Sequence, residues 1–497
     1  MPEASADGTA LARVGKNSLI LLASQSITWV LATVVVFVVP RYFGAEAMGW
    51  FTVAASLWTI AAAFVGLGTS MYLTIEFAKR RGEAGALVGP VVRVRLLTSC
   101  VAFAVVLGFA AIAGYRSEVI TMAIIVGVAT VLASLADVSG SALVGLEQMS
   151  AVGRADIGGK LASTVAALAL LALTHNLFFV AASGIVLALV RGTLQYRWLA
   201  RVAAFDFSAG WRDMRGAVRA ASPFLVAGIA LVLYQQVDTV VMSLLIDDRQ
   251  MGWYGTADGL FTTLLFAPTI LMTALLPALT REHAADAAAA RRLLGQSFDA
   301  LVLVAVPLGL ALVVSAWSGI RLLYGPKFDG ARPVLAVYGV VLAFTSFSIL
   351  FGSYAAAVGR QRFWNGVMAA AIAATIPLDL VLVPWTKHRF GNGAIAGALS
   401  YVVTESLMVV IGLALLARHL LDARRAGRVA RCVLAGLAQF AAGWPLRRMF
   451  VLFPAVAGLA AYLAVVIILR VPTPAERAMV TRLAANVLGR ARRLLPG

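Results

Sequence analysis

Charge is scarce in this chain, and its scarcity excludes whole classes of protein. Only 13% of the 497 residues are charged and 61% are hydrophobic, whereas average soluble domains are about 25% charged and about 45–50% apolar. Water could not cover such a surface, so a soluble globular protein is excluded. No large loop carries paired carboxylates, which argues against a membrane glycosyltransferase or polymerase.

Cysteine, histidine and phosphate-binding loops are equally scarce. Cys100 and Cys432 have no ligand spacing and form no disulfide framework, and the four histidines lie at helix ends or in loops. We therefore expect no metal site and no catalytic residue. A glycine-rich loop of the nucleotide-hydrolase type is also missing, so ATP is not the expected energy source. The sequence predicts a protein that is not an enzyme and that carries no cofactor.

What the chain has instead is a series of long apolar stretches. Fourteen of them reach or approach the roughly 20 residues that a helix needs to cross the hydrocarbon core. They cover residues 17–39, 47–74, 92–114, 119–145, 160–174, 177–199, 222–246, 252–279, 297–324, 333–357, 363–384, 392–417, 429–446 and 449–470. The sequence predicts an all-α polytopic membrane protein with about 14 transmembrane helices.

Basic residues are distributed unevenly between the two sets of loops. Thirty of the 41 lysines and arginines lie in the segments on the side of the N-terminus, and ten lie in the opposite loops. Because basic residues near helix ends stay on the cytoplasmic side, both termini are predicted to be cytoplasmic. The net charge of +18 is then explained by basic loops that face anionic membrane lipids, with no nucleic acid as a partner.

A short motif occurs twice at equivalent positions. Met48-Gly49-Trp50-Phe51 returns 203 residues later as Met251-Gly252-Trp253-Tyr254, each time between two apolar stretches. Such a repeat predicts two pseudo-symmetric six-helix lobes, related by an axis along the membrane normal, as in some secondary transporters.

The repeat and the charge pattern together predict six segments. Two lobes flank a cytoplasmic linker, two extra helices follow, and a basic amphipathic segment ends the chain as an interfacial helix or a disordered tail. In chain order the segments are a cytoplasmic tail at 1–16, the N-lobe at 17–199, the linker at 200–221, the C-lobe at 222–417, the extra helices at 418–470 and the basic tail at 471–497.

Several helix-end motifs resemble those of one transporter group. They are Arg41-Tyr42-Phe43-Gly44 before the first repeat motif, Asp238-Thr239-Val240-Val241 before the second, then Leu276-Pro277-Ala278-Leu279, and Val383-Pro384 followed by residues 391–397. Together they resemble the polysaccharide-export (Wzx-type) flippases of the multidrug/oligosaccharidyl-lipid/polysaccharide (MOP) exporter superfamily. Phe43 and Asp379 depart from that pattern, which has a leucine and a polar amide there. The two extra helices are familiar from the lipid II flippase branch, whose basic first-helix motif we do not find.

The resemblance implies a function that composition alone does not. It implies a flippase that moves an undecaprenyl-diphosphate-linked oligosaccharide from the cytoplasmic to the outer face of a bacterial inner membrane, by alternating access, for surface polysaccharide assembly. Polysaccharide polymerase and chain-length proteins are then further partners. The residues alone indicate a two-lobed secondary transporter. A cation- or proton-coupled multidrug antiporter, a lipid II flippase and a non-transporting assembly scaffold remain alternatives.

Ionisable residues inside the apolar stretches are the first candidates for the site, because a charge at mid-bilayer costs about 3 kcal/mol or more unless it is paired or hydrated. Arg191 is predicted to bind the diphosphate through its guanidinium group, or else to pair with Asp137. Coupling-ion roles are predicted for four acids, namely Asp238, Glu405, Asp137 and Asp379. A packing hydrogen bond for Asp238 and a protonated structural carboxyl for Glu405 are the alternatives. These acids outnumber the single deep base, which favours the antiporter alternative.

Polar side chains nearer the mouths complete the predicted site. Gln25 and Trp29 share one face of the first stretch, which suits either a sugar or helix packing. Gln235 shares a face with Asp238 and is predicted to line the cleft. Arg41 at the outer mouth and Arg95 at the inner mouth are predicted to capture phosphate or, by default, to face solvent and headgroups.

Overall fold

The described part of the chain is built from α-helices. The computed structural model describes residues 3–79, 84–202 and 211–472, and no strand occurs among them. The helices are α1 Glu3–Phe43, α2 Ala45–Gly66, α3 Thr69–Lys79, α4 Val88–Ile112, α5 Ser117–Gly145, α6 Met149–Thr174, α7 Leu177–Ala181, α8 Ser183–Leu199, α9 Trp211–Leu245, α10 Asp248–Leu264, α11 Phe266–Ala285, α12 Ala287–Tyr324, α13 Ala331–Ala357, α14 Gln361–Phe390, α15 Ala394–Ile411, α16 Ala423–Gly443 and α17 Leu452–Ile468. The predicted all-α fold class is confirmed.

Twelve helical segments of the described residues are long and apolar enough to cross a membrane. They correspond to twelve of the predicted stretches. The stretches at 222–246 and 449–470 contain only the shorter apolar helices Val232–Leu245 and Leu452–Ile468. A polytopic membrane protein is therefore confirmed, while the full count of fourteen spans is not.

Several predicted stretches differ from the helices that form. Those at 177–199 and 252–279 are each interrupted at a single residue, Ala182 and Leu265. The stretch at 47–74 is broken between α2 and α3, where Leu67 and Gly68 have φ angles of 46° and 72°. Apolar runs continue on both sides of Gly66–Ser70, so hydropathy averaged over a transmembrane window does not show this break. In another case, α6 begins at Met149, well before residue 160. Its first turns carry charged side chains that read as a loop in the sequence.

The ends of the predicted segments differ from the ends of the helices that form. α1 extends to Glu3, so the predicted N-terminal tail is helical from that residue onward. α9 begins at Trp211, inside the predicted linker. Residues 473–497, with nearly all of the predicted amphipathic tail, lie outside the described residues. The predicted lobe boundaries stay a prediction.

The chain divides into two compact units. The first comprises Met1–Thr256, Leu323–Gly330 and Met368–Gly397, and the second comprises Ala257–Leu322, Ala331–Val367 and Ala398–Gly497. The first unit has an apolar core in which α3, α4, α5 and α8 meet through fully or nearly fully buried side chains, among them Leu73, Phe77, Val91, Leu143 and Leu199.

The second unit holds its two C-terminal helices against a proline in α12. Pro307 has no N–H group, so the carbonyl of Leu303 lacks its usual helical donor. Tyr462 of α17 donates to that carbonyl at 3.2 Å, and Gln439 of α16 donates to the carbonyl of Pro307 at 2.9 Å. Both side chains are buried. Because lipid offers no hydrogen bonds, the bond from Tyr462 satisfies a carbonyl that would otherwise be orphaned. The bond from Gln439 is a second one to a carbonyl that already lies within the helical hydrogen-bond pattern.

Candidate functional site

Arg191 lies in an ion-pair cluster formed by three helices of the first unit. From α8, its Nη2 lies 3.0 Å from Oδ1 of Asp137 on α5, and its Nε lies 2.8 Å from Oδ1 of Asp156 on α6. The side chains of Arg191, Asp137 and Asp156 are 29%, 43% and 31% exposed, so the cluster is open on one side. The pair with Asp137 is one of the two alternatives for Arg191. Diphosphate binding stays a prediction.

Small residues bring the three helices close enough for this cluster. A β-carbon on Gly159 would lie 3.0 Å from Cβ of Arg191, and one on Gly192 would lie 3.0 Å from Cβ of Ala136. Gln195, one turn further along α8, is fully buried. With its amide oxygen turned toward Arg191 it accepts from Nε at 3.2 Å, and its amide nitrogen donates to the Ala136 carbonyl at 3.0 Å. Packing therefore fixes the position of the guanidinium group.

Two charged residues of α6 were not among the predicted site residues. Asp156 pairs with Arg191, and half-buried Lys160 follows it by one helical turn. Both lie before or at the start of the predicted stretch at 160–174. The sequence does contain a signal for them. Asp156 and Lys160 are opposite charges at i and i+4, a spacing that indicates that the helix extends toward its N-terminus beyond the apolar stretch.

The structure corrects the expected surroundings of Arg95. The side chain lies inside α4 and is 1% exposed. Its Nε and Nη2 donate to Oγ1 of Thr69 at 3.0 and 2.9 Å, Nη2 also donates to Oγ of Ser70 at 2.7 Å, and Nη1 donates to the carbonyl of Ser134. These acceptors are all uncharged, and Asp137 adds an electrostatic attraction. A solvent-facing or headgroup-facing Arg95 is therefore wrong.

The break in the second predicted stretch explains this arrangement. Because α2 ends at Gly66 and α3 starts at Thr69, two hydroxyl groups stand at the beginning of a helix that packs beside α4. In a continuous helix over residues 47–74, Thr69 and Ser70 would point in different directions around the helix axis. Phosphate capture by Arg95 stays a prediction.

Asp238 and Asp379 meet in a second polar cluster of the first unit. Asp238 on α9 is 8% exposed and Asp379 on α14 is fully buried. The two carboxyl groups are neighbours, and a hydrogen bond between them requires a proton on one of the two. Tyr254 of α10 donates its hydroxyl to Oδ2 of Asp238. Gly397 leaves room for the cluster, since a β-carbon there would lie 2.6 Å from the Tyr254 ring.

Glu405 belongs to the second unit. It is 1% exposed on α15. Tyr401, one turn earlier, packs edge-on against Phe261 and Tyr338, with ring centroids 5.8 and 6.4 Å apart. Of the predicted coupling acids, only Asp238 and Asp379 are shown to be neighbours. A coupling role for Glu405 stays a prediction.

The remaining predicted residues lie on accessible faces. Gln25 and Gln235 are exposed, and Trp29 is half-buried on α1, where its carbonyl accepts from Oγ1 of Thr33 at 2.8 Å. Arg41 is exposed in the last turn of α1. Their predicted roles in sugar or phosphate binding stay predictions.

The two copies of the repeat motif meet at a junction that we call the glycine junction, formed by Ala45 and Gly49 of α2 with Asp248 and Gly252 of α10. A β-carbon on Gly49 would overlap the carbonyl of Asp248, and one on Gly252 would overlap the carbonyl of Ala45. The contacts are reciprocal. Gly49 lies one turn after Ala45, which Gly252 approaches, and Gly252 lies one turn after Asp248, which Gly49 approaches. Trp50 also donates to Oδ2 of Asp248 at 3.1 Å.

Arg116 adds charge to the same junction. Its Nη1 lies 2.8 Å from Oε1 of Glu46 and 3.4 Å from Oδ2 of Asp248, and its Nη2 lies 3.2 Å from Oε1 of Glu118. The hydrogen bond to Glu46 raises the pKa of Arg116, which stays charged at any physiological pH. Since Arg116 and Glu46 are exposed and Glu118 and Asp248 are half-buried, the tight backbone contact contributes more to the junction than the ion pairs do.

Comparison with known proteins places this arrangement in a wider group. A family model described as "Polysaccharide biosynthesis protein" matches residues 14–283, more than half of the chain. No curated protein sequence matches the chain.

Two solved structures share the fold. "Lipid II flippase MurJ, inward closed conformation" aligns with a TM-score of 0.73 and 12% sequence identity over 91% of this chain and 99% of that chain. An inward-facing multidrug resistance MATE family transporter of the MOP superfamily aligns with a TM-score of 0.63 and 13% identity over 83% of this chain and 99% of that chain. The resemblance predicted from the helix-end motifs is confirmed: the chain belongs to the polysaccharide biosynthesis protein family and has the fold of the MOP superfamily.

Proposed function

We propose that this protein flips an undecaprenyl-diphosphate-linked oligosaccharide from the cytoplasmic to the outer face of a bacterial inner membrane, with both termini in the cytoplasm. The observation that carries the proposal is the charge balance inside α4, α5, α6 and α8. Away from the helix ends, three bases that are buried or half-buried, Arg95, Lys160 and Arg191, accompany two half-buried acids, Asp137 and Asp156. This local excess of positive charge suits a diphosphate, although Asp238, Asp379 and Glu405 bring the deep acids of the described residues to five against these three bases.

The family supports this cargo, since the matching model describes polysaccharide biosynthesis proteins. A diphosphate that leaves the cytoplasm moves negative charge outward, which an inside-negative potential favours by about 2.3 kcal/mol per charge per 100 mV. Alternating access then requires a gate on the outer side. The glycine junction is our candidate for that gate, because α2 and α10 pack backbone to backbone there and would have to separate, together with the neighbouring contact of Thr52 with Gly255, for it to open.

The Asp238–Asp379 cluster is our candidate for coupling transport to a proton or sodium gradient. Two buried carboxyl groups that share a proton form a site that exchanges that proton for a cation when its surroundings change. Tyr254 connects this cluster to α10, two residues after Gly252 of the glycine junction. A change in the occupancy of the cluster would therefore act directly on the candidate gate.

Replacing Asp379 with asparagine is expected to uncouple transport from the gradient. The amide keeps the shape and a hydrogen bond to Asp238 but cannot exchange a proton at this position. Export driven by an imposed pH or sodium gradient should fall about tenfold or more, close to the rate without a gradient. Glu282→Gln, which removes an exposed carboxylate, is the control. Full gradient dependence in Asp379→Asn would rule out this coupling site.

Reconstitution tests the function itself. The purified protein is placed in vesicles that contain an undecaprenyl-diphosphate-linked oligosaccharide, and a membrane-impermeant glycosidase reports the fraction of sugar exposed on the outside. We expect protein-dependent exposure of the inner-leaflet pool. Failure to flip, together with gradient-driven extrusion of a cationic dye, would instead establish the multidrug antiporter, which the buried acids Asp238, Asp379 and Glu405 favour.

A further inference from the structure

A basic cavity lies in the second unit. Its volume is about 320 Å³, and it is lined by Trp317, Ser318, Arg321, Arg332 and Arg448. This volume is within the range of ligand pockets, which is about 300–1,000 Å³. Three of the five lining residues are arginines and none is an acid.

The position of the cavity is defined by three helix ends. Arg321 lies in the last turn of α12, Arg332 in the first turn of α13, and Arg448 in the turn between α16 and α17. The charge pattern of the loops predicts this side of the membrane to be the outer one. Arginines that converge there are not explained by the positive-inside tendency, which would place them on the other side.

An apolar groove runs along the same helices at membrane depth. It has a volume of about 330 Å³. It is lined by residues of α12, α13 and α16, namely Val306, Gly309, Leu310, Gly339, Val340, Ala343, Val433, Gly436, Leu437 and Phe440. Val340, Val433 and Leu437 are 40%, 48% and 61% exposed. The groove is therefore open to the hydrocarbon region.

One side chain joins the groove to the cavity. Trp444 stacks on Phe440 of the groove, with ring centroids 5.0 Å apart, and packs edge-on against Trp317 of the cavity at 5.1 Å. The guanidinium group of Arg447 lies 4.2 Å from the centroid of the Trp444 ring. Tryptophan and arginine at this level are typical of the boundary between headgroups and acyl chains.

We propose that the cavity and the groove together bind one anionic lipid of the outer leaflet, with its phosphate headgroup against Arg321, Arg332 and Arg448 and one chain in the groove. Guanidinium groups match phosphate oxygens in shape and charge. A water-soluble anion would use the cavity alone, whereas a lipid phosphate uses both features. The site is separate from the proposed cargo and coupling residues, so it does not rest on the proposed function.

The test is native mass spectrometry of the purified full-length protein, titrated with dioleoylphosphatidylglycerol and, separately, with dioleoylphosphatidylcholine. We expect the anionic lipid to bind about tenfold more tightly, and Arg321→Gln with Arg448→Gln to remove this preference. Both arginines are exposed, so the fold should tolerate their loss. Arg448→Glu alone should act in the same direction. The matched control is Arg249→Gln with Arg389→Gln, which removes two exposed arginines from the same predicted side.

Two further measurements separate a lipid from a free anion. Ala343→Trp fills the groove and is expected to weaken phosphatidylglycerol binding about tenfold. Millimolar sodium diphosphate is expected to leave the bound lipid in place. The proposal is overturned if the double arginine variant keeps the preference, if Ala343→Trp binds the lipid like the wild type, or if diphosphate displaces it.

Discussion

Gly252→Ala is expected to reduce export about tenfold or more while the protein still inserts and folds. The added methyl group would overlap the carbonyl of Ala45, so α2 and α10 could no longer meet in the glycine junction. Overpacking of this kind costs about 1–3 kcal/mol, which shifts a two-state equilibrium about 5- to 150-fold. The variant should therefore mainly populate a conformation that is open on the outer side.

The same helix provides a control for this effect. Gly259 also lies on α10, and a β-carbon there meets nothing within 4 Å, so Gly259→Ala should export normally. Gly49→Ala should behave like Gly252→Ala, because the contacts of the junction are reciprocal. With Cys100 and Cys432 replaced by serine, a single cysteine at Thr52 reports opening through its reaction with an impermeant maleimide. Normal export and unchanged labelling in both glycine variants would show that the junction is no gate.

Arg191→Gln is expected to abolish export of the lipid-linked oligosaccharide. Arg191 pairs with Asp137 and Asp156, and a diphosphate would compete with these carboxylates for the guanidinium group. The single substitution also leaves the two acids without their shared partner, which by itself disturbs the fold. Its loss of activity alone would therefore not separate cargo binding from a structural ion pair.

A triple variant makes that separation. Arg191→Gln with Asp137→Asn and Asp156→Asn removes the whole ion-pair cluster and leaves no unpaired charge. If Arg191 only balances the acids, the triple variant regains export; if it binds the diphosphate, export stays absent while insertion and thermal stability recover. We expect the second result. Arg197→Gln, an exposed arginine on the same helix, should export at the normal level.

The sequence predicts most of this fold because apolar length alone marks a transmembrane helix. It is less informative where a helix carries charge or changes direction. The first turns of α6 read as a loop because Arg154, Asp156 and Lys160 interrupt the apolar run, and this hides the second partner of Arg191. The break at Leu67 and Gly68 does not show in hydropathy averaged over a transmembrane window.

The candidate site shows the same limit. The burial of Arg95 and the contact of Asp238 with Asp379 depend on which helices become neighbours, and periodicity does not report that. The repeat motif is visible in the sequence, but its role is not. Only the three-dimensional structure shows that Gly49 approaches the backbone of Asp248 and that Gly252 approaches the backbone of Ala45.

Pro307 has a consequence for how the chain can change over evolutionary time. The carbonyls of Leu303 and Pro307 accept hydrogen bonds from Tyr462 and Gln439, which belong to α17 and α16. A descendant that lost these two helices would leave the Leu303 oxygen without a donor among the acyl chains, at a cost of several kcal/mol for an unsatisfied group. The Pro307 oxygen would keep its helical donor, the N–H of Ala311. Loss of α16 and α17 is therefore expected to follow the replacement of Pro307 by a residue with a backbone N–H group.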